Sequence, residues 1–426
     1  MNAINDAVRA ALKADPDIIT LGEPRSNNLS QTLHAANAGR TRLHGLVEDT
    51  EFLEVPLATG DLKLRVTNGP SIEDLCDFAA RANPKRGFLI VSKVLGRHLP
   101  ARPAAMRRAM EDLARSLPSD LPQPIVFLGM AETATALGQG VFAAFQSMHP
   151  SATSIYLQTA RQTVGGAVTI ARFEEGHSHA TSHLVQVSDD ELAAVVKSAR
   201  SLVIIDDESS TGNTFVSAAE GMIPAMPILE RIETCCITDW SGGDYLDRMP
   251  RPAAGHSILA GTMEWTVGTS VTPPKLAAGS NGAGSAPISG MRSRSGLRHP
   301  EASSRPPIIC REGERILVLG DGEHSYEALL IAEEIEAQGG IAAVQSITRT
   351  PAILGDAMGS VSQFTDAYGS GAPCFLYNIL AHRPARILVA SEIWDRQTDE
   401  GRKAVQELGA DIPVEMILCT YQGETR

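Results

Sequence analysis

The stretch Leu202–Thr214, LVIIDDESSTGNT, concentrates residues that can do chemistry. Four apolar, mostly β-branched residues run into two carboxylates, Asp206 and Asp207. A small, hydroxyl-rich turn follows, from Ser209 through Ser210, Thr211, Gly212 and Asn213 to Thr214. Ser210, Thr211 and Thr214 supply hydroxyl donors. Gly212 lets the backbone turn so that successive N–H groups face one anion at a helix N-terminus. The acids cannot themselves favour a phosphate. Their place beside an anion hole suits a ligand with vicinal hydroxyls next to its phosphate, with Mg²⁺ as an accompanying cation. A ribose 5-phosphate has that shape. The plain alternative is a strand-to-helix turn whose acids cap the helix.

The elements that must hold these groups read as a buried parallel strand, a tight loop and a helix start. PIVFLGMAETATALGQGVFAAF (124–145) repeats that grammar, with MAETAT as the loop. Both loops then lie at the carboxyl ends of strands, where open parallel sheets bind ligands. Between the two units, residues 155–185 read as a hairpin with Gly165-Gly166 at its tip and VTIARF as the returning strand. Such a hairpin suits a lid that excludes water, and Arg161, ahead of Arg172, is its candidate cation. His177, His179 and His183 stand beside Glu174 and Glu175. They lack the further ligands of a convincing zinc site. Proton transfer, anion contact and a structural polar network are the other readings. Upstream, SIEDLCDFAARAN has helical spacing and FLIVSKVLG reads as a strand. Lys85, Arg86, Lys93, Arg97 and His98 gather around that strand, facing either an anion or solvent.

The chain of 426 residues is long enough for two or three domains, and its 43% hydrophobic content supports packed cores. Aromatic residues make up only 4%, which fits α/β architecture better than a β-sandwich. A net charge of −13 argues against a general nucleic-acid binder. Six cysteines without CxxC spacing read as reduced thiols. With no signal-like or membrane-spanning run, the expectation is a soluble, cytoplasmic protein. Residues 268–307, rich in Gly, Ser and Pro, read as a flexible linker carrying a loose tract of Arg292, Arg294 and Arg298. It divides a first domain, 1–267, from a second, 308–426. The second opens with strand, glycine loop and helix in RILVLGDGEHSYEALLIAEEIEAQGG. Its Gly320-Asp321-Gly322 is half of a dinucleotide fingerprint and weak as a cofactor signal. Arg349, flanked by hydroxyls in Thr348-Arg349-Thr350-Pro351, reads as an anion clamp or as an exposed turn.

LVIIDDESSTGNT resembles the 5-phosphoribosyl-1-pyrophosphate (PRPP) loop of type I phosphoribosyltransferases. The resemblance implies that Asp206 and Asp207 hold the ribose hydroxyls and that Ser209–Thr214 wraps the 5-phosphate. It further implies that the loop at Ala131, Glu132, Thr133 and Ala134 binds pyrophosphate through backbone amides, assisted by Arg161 and Lys93. Glu132 is unusual there; contact with Mg²⁺, contact with a cationic nucleophile and helix capping stay open. The whole order of blocks, through NPKRGFLIVSKVLGRH, FEEGHSHATSH, GDGEHSYEALLIAE, ITRTPAILG and FLYNI, resembles a two-domain family of tellurite-resistance and stress-response operons. In that family a phosphoribosyltransferase domain precedes one named for a Thr-Arg-Ser-Pro signature, here Thr-Arg-Thr-Pro. The implied fold is an α/β, type I phosphoribosyltransferase-like parallel sheet with a hood, followed by a smaller Rossmann-like α/β domain. The implied activity is transfer of 5-phosphoribosyl from PRPP, with Mg²⁺, to an unidentified base-like nitrogen in making a nucleoside-like metabolite. Pairing into a homodimer is common among type I relatives. The alternatives are a PRPP- or nucleotide-binding regulator without turnover, the reverse reaction on a nucleoside monophosphate analogue, and catalysis relayed to a tethered second domain.

Overall fold

The computed structural model of the chain describes residues 41–44, 51–81, 83, 86–174, 182–268, 292–300, 303–365, 373–392 and 412–420. Strands β1 (Thr41–His44), β2 (Glu51–Leu57) and β3 (Gly60–Asn68) make an antiparallel meander. The near-strict alternation of buried and exposed residues along β3 marks a sheet wetted on one face. β4 (Cys76–Ala80) and β5 (Phe88–Ser92) form a separate hairpin. The main sheet continues through β6 (Ile125–Gly129), β7 (Ser154–Ala160), β8 (Val168–Glu174), β9 (Ser182–Val187) and β10 (Ser201–Ile205). It is completed by β11 (Glu208–Ser209), β12 (Arg231–Asp239) and β13 (Ala253–Val267). Its order is β1-β2-β3-β13-β12-β10-β6-β7-β9-β8. The stretch from β13 to β7 is parallel throughout. Every residue of β6, β7 and β10 is buried, and β6 and β10 are the apolar runs that the middle of a parallel sheet favours.

A second, smaller unit follows. β14 (Arg315–Gly320), β15 (Ile341–Ser346), β18 (Arg386–Ser391) and β19 (Val414–Leu418) form a parallel sheet in the order β15-β14-β18-β19. β16 (Val361–Thr365) and β17 (Pro373–Tyr377) pair as a hairpin beside it. The helix Tyr326–Ala337 carries the chain from β14 to β15. The expected α/β class, with a mainly parallel central sheet and a smaller α/β unit, is therefore the class adopted. No helix among the described residues is long and apolar enough to cross a membrane.

The two units are packed into each other. One continuous apolar cluster includes Met106 and Met110 of the helix Pro103–Ser116, Phe142 of the helix Thr135–Met148, and Ile316, Leu329 and Val344 of the second unit. Arg107 donates to both carboxylate oxygens of Glu333 at 2.8 Å, tying helix Pro103–Ser116 to helix Tyr326–Ala337. Ala101 and Val344 exchange backbone hydrogen bonds of 2.9 and 2.8 Å. The β4–β5 hairpin buries Ala79, Leu89 and Val91 against Met358, Phe375 and Tyr377.

Three expectations change. SIEDLCDFAARAN is helical only over Ile72–Leu75 and then becomes β4, because that segment is buried on a partner strand and the second unit. The strand VTIARF does not return along β7; it pairs with β9, which itself lies against β7. Residues 175–181, which follow β8 and precede β9 in the chain, lie outside the described residues, and with them His177 and His179. Of the expected linker, residues 269–291 and 301–302 also lie outside them. Residues 292–300 are packed against the protein: Leu297 exchanges two 2.8 Å hydrogen bonds with Tyr156, and Arg294 is 1% exposed. The carboxylates of Glu323 and Glu392 draw its guanidinium inside.

Candidate functional site

β10 sits at the centre of the parallel sheet, between β6 and β12, and delivers Asp206 and Asp207 at its carboxyl end. The amide of Asp206 donates to Cys235 O at 3.0 Å, and Asp207 N donates to Asp206 Oδ1 at 2.9 Å. The chain then pairs briefly with β12 through Glu208 and Ser209 before turning into the helix Asn213–Met222. Gly212 precedes that helix with φ of 69°, a left-handed conformation. A Cβ there would lie 2.1 Å from Tyr245 Cγ, so both backbone and space demand glycine. Arg248 braces the turn from outside, donating to Asn213 Oδ1 at 2.7 Å and Thr211 O at 3.0 Å. Residues 209–214 line one pocket, with the helix N-terminus and its positive end of the dipole turned towards it.

The opposite wall is the loop after β6. Met130 N donates to Ile205 O at 2.9 Å, which fixes this loop against the end of β10. The Ala131 amide donates to Thr159 Oγ1 at 2.7 Å, and that hydroxyl also meets His183 Nδ1 at 2.9 Å. The Ala131 amide is thus already committed inside the protein, contrary to the expectation of a pyrophosphate contact. The amides of Glu132 and Thr133 have no hydrogen-bond acceptor among the described residues. The Glu132 side chain does not cap the helix Thr135–Met148. Its Oε1 instead accepts from Arg349 N at 3.2 Å and from Arg97 Nη1 at 3.4 Å.

Arg161 lines the pocket and is strapped in place. It donates through Nη2 to Ala131 O and through Nη1 to Ser182 O, both at 3.2 Å. His183, 1% exposed, lies flat on Phe173 with ring centroids 4.9 Å apart. The remaining walls come from Arg81, Arg86, Leu89 and His98 on one side and from Arg349 and Thr350 on the other. Glu208 accepts from Arg86 Nη2 at 2.5 Å; burial raises its pKa against the lowering pull of that guanidinium. Burial, with Arg97 and Arg81 nearby, depresses His98 from 6.5 to about 3, so its imidazole is neutral. Among the described residues no cluster of three or more His, Cys, Asp and Glu side chains is set to hold a metal ion by itself.

The structure therefore gathers Asp206, Asp207, Ser209, Ser210, Thr211, Gly212, Asn213, Thr214, Ala131, Glu132, Thr133, Arg161, His183 and Arg349 around one pocket. It does not bring Lys93 there: the amine donates to Glu73 O at 2.7 Å on the exposed side of the β4–β5 hairpin. Thr159, Arg81 and Arg248 carry no sequence signal, since each acts through a partner remote in the chain. In the sequence Arg97 and His98 read only as members of a basic cluster. In the fold Arg97 is buried, and it donates to the carbonyls of Glu132, Gly322 and Ile347.

Residues 75–261 match a family model described as phosphoribosyl transferase, and residues 299–408 match one described as the TRSP domain C-terminal to it. No curated protein matches the chain. Among solved structures, the adenine phosphoribosyltransferase of Rhodothermus marinus is similar at 16% identity, covering 44% of this chain and 97% of its own, with a TM-score of 0.30. That of Trypanosoma brucei, solved with AMP, pyrophosphate and ribose-5-phosphate, is 15% identical over 44% of this chain and 77% of its own, also with a TM-score of 0.30. That of Giardia lamblia, solved with 9-deazaadenine, is 16% identical over 44% and 95%, with a TM-score of 0.30. The chain is thus similar to the phosphoribosyl transferase model over residues 75–261 and to the TRSP-domain model over residues 299–408.

Proposed function

We propose that this pocket binds PRPP and transfers its 5-phosphoribosyl group to a base-like nitrogen nucleophile, releasing pyrophosphate. The observation that carries the reading is the turn after β10. Paired acids, a left-handed glycine and a helix N-terminus follow one another there within a pocket also lined by Glu132 and Thr133, whose amides have no acceptor among the described residues. Residues 209–214 take the 5-phosphate, and Asp206 and Asp207 accept the ribose hydroxyls. The carboxylates also lie on the side where positive charge develops as the ribose becomes oxocarbenium-like. The bond from the anomeric carbon to the diphosphate breaks, the carbon–nitrogen bond forms, and the nucleophile loses its proton. The Glu132 and Thr133 amides and Arg161 meet the departing diphosphate. The hard carboxylate oxygens of Asp206 and Asp207, with the diphosphate, suit Mg²⁺, whose charge would screen the leaving group.

The test is pyrophosphate release from PRPP with Mg²⁺, using a cell extract as the source of acceptor. The wild-type chain is expected to release it, and the Asp206→Asn/Asp207→Asn double variant to lose about a hundredfold or more while keeping its fold. Normal turnover by the double variant contradicts the assignment. Saturable PRPP binding without release identifies a regulatory binder instead.

A further inference from the structure

Arg349 belongs to the second unit, yet it lines the pocket of the first together with Thr350. Its segment is fixed over the loop at 130–134 from three directions. Arg97, 2% exposed, spans the seam: Nη1 donates to Ile347 O at 2.7 Å and Gly322 O at 3.0 Å, while Nη2 reaches Glu132 O. Thr348 and Phe375 exchange backbone hydrogen bonds of 3.1 and 2.7 Å. Thr135 Oγ1 meets Ser325 Oγ at 2.9 Å, so the N-termini of the helices Thr135–Met148 and Tyr326–Ala337 converge beside the same loop. Both helix dipoles add positive potential at that point.

The group occupying this positive corner is the carboxylate of Glu132. Its nearest approach to the Arg349 guanidinium is Nε to Oε2 at 3.8 Å, and that guanidinium also acts on the Glu323 carboxylate. The Arg107–Glu333 pair elsewhere on the same seam shows what a structural ion pair looks like here, with two bonds of 2.8 Å. A guanidinium fork takes a phosphate as readily as a carboxylate. Glu132 is 13% exposed at the side chain and Arg349 22%, and both line the pocket.

Resting on the proposed function, we propose that Arg349 is a diphosphate ligand supplied by the second unit. It exchanges the Glu132 carboxylate for the diphosphate of the bound donor, so the TRSP unit completes the phosphoribosyl pocket. Arg97 is the positioning residue that holds the two sides of the seam together.

Titration calorimetry of the full chain with Mg–PRPP and with ribose 5-phosphate tests this, because the second ligand keeps the 5-phosphate and hydroxyls but lacks the diphosphate. Arg349→Ala is expected to lower PRPP affinity about ten- to a hundredfold and leave ribose 5-phosphate within about twofold. Glu132→Gln, which removes the competing carboxylate charge, is expected to tighten PRPP without affecting ribose 5-phosphate. Should the alanine variant fail to fold, Arg349→Gln keeps the stem packed and reads the same ratio. A PRPP-to-ribose 5-phosphate ratio unchanged by these substitutions, or equal losses for both ligands, overturns the inference while the proposed function stands. A wild-type chain that binds PRPP no more tightly than ribose 5-phosphate also overturns it. Binding of neither ligand to the wild-type chain removes the proposed function, and the inference with it.

Discussion

Gly212 shows how strictly a single position can be set. A side chain there meets both a left-handed φ and the Tyr245 ring. Gly212→Ala is therefore expected to cost about 1–3 kcal/mol in chemical denaturation and to weaken PRPP binding, because the turn must open to relieve the contact. Stability and affinity both at wild-type level would show that the turn is not built as described. His98 sets a pH dependence. An unfolded histidine takes up a proton below about pH 6.5, whereas folded His98, depressed to about 3, does not. Its contribution is complete above pH 6.5 and is lost as the pH falls towards 3, by up to about 1.4 kcal/mol per pH unit. The stability difference between wild type and His98→Asn should shrink accordingly between pH 7 and pH 5; parallel profiles would contradict the burial argument. At this scale Asp206, Asp207 and the 209–214 turn were legible, because their chemistry lies within one contiguous stretch. Arg97 and Arg349 were not legible as a pair: each reaches Glu132 across a long sequence separation, and no local pattern encodes such a contact.

The elements follow from burial more than from periodicity. The parallel strands β6 and β10 announce themselves as apolar runs ending at small or polar residues. β4 does not, because a strand buried on both faces has no alternation to distinguish it from a helix. The segment 292–300 misled for the opposite reason. Serine and arginine are the composition of a linker, and only the carboxylates of Glu323 and Glu392, far along the chain, turn Arg294 inward. Burial works to raise the pKa of Glu323, but Arg294, with Arg349 and the Arg161 amide, holds it below the usual carboxylate range. Arg294→Ala leaves two buried carboxylates without their cation and is expected to cost about 3–5 kcal/mol. A loss under about 1 kcal/mol on urea denaturation would mean that the segment is only loosely attached.

At the scale of the whole molecule, residues of both units line the pocket beside the turn after β10. The shared apolar cluster, the Arg107–Glu333 pair and the Ala101–Val344 pairing make the interface direct rather than a matter of tethering. Cutting the chain within residues 269–291 should therefore leave two fragments that co-purify and release pyrophosphate together, with neither active alone. A first fragment fully active without the second would show that the second unit is dispensable to the pocket. The central claim is that the turn after β10 cradles a sugar phosphate, and a crystal structure determined with Mg–PRPP tests it most directly. The account predicts the 5-phosphate against the backbone of residues 210–214, with the ribose hydroxyls on Asp206 and Asp207. PRPP bound elsewhere, with that turn filled by its own side chains, would contradict it.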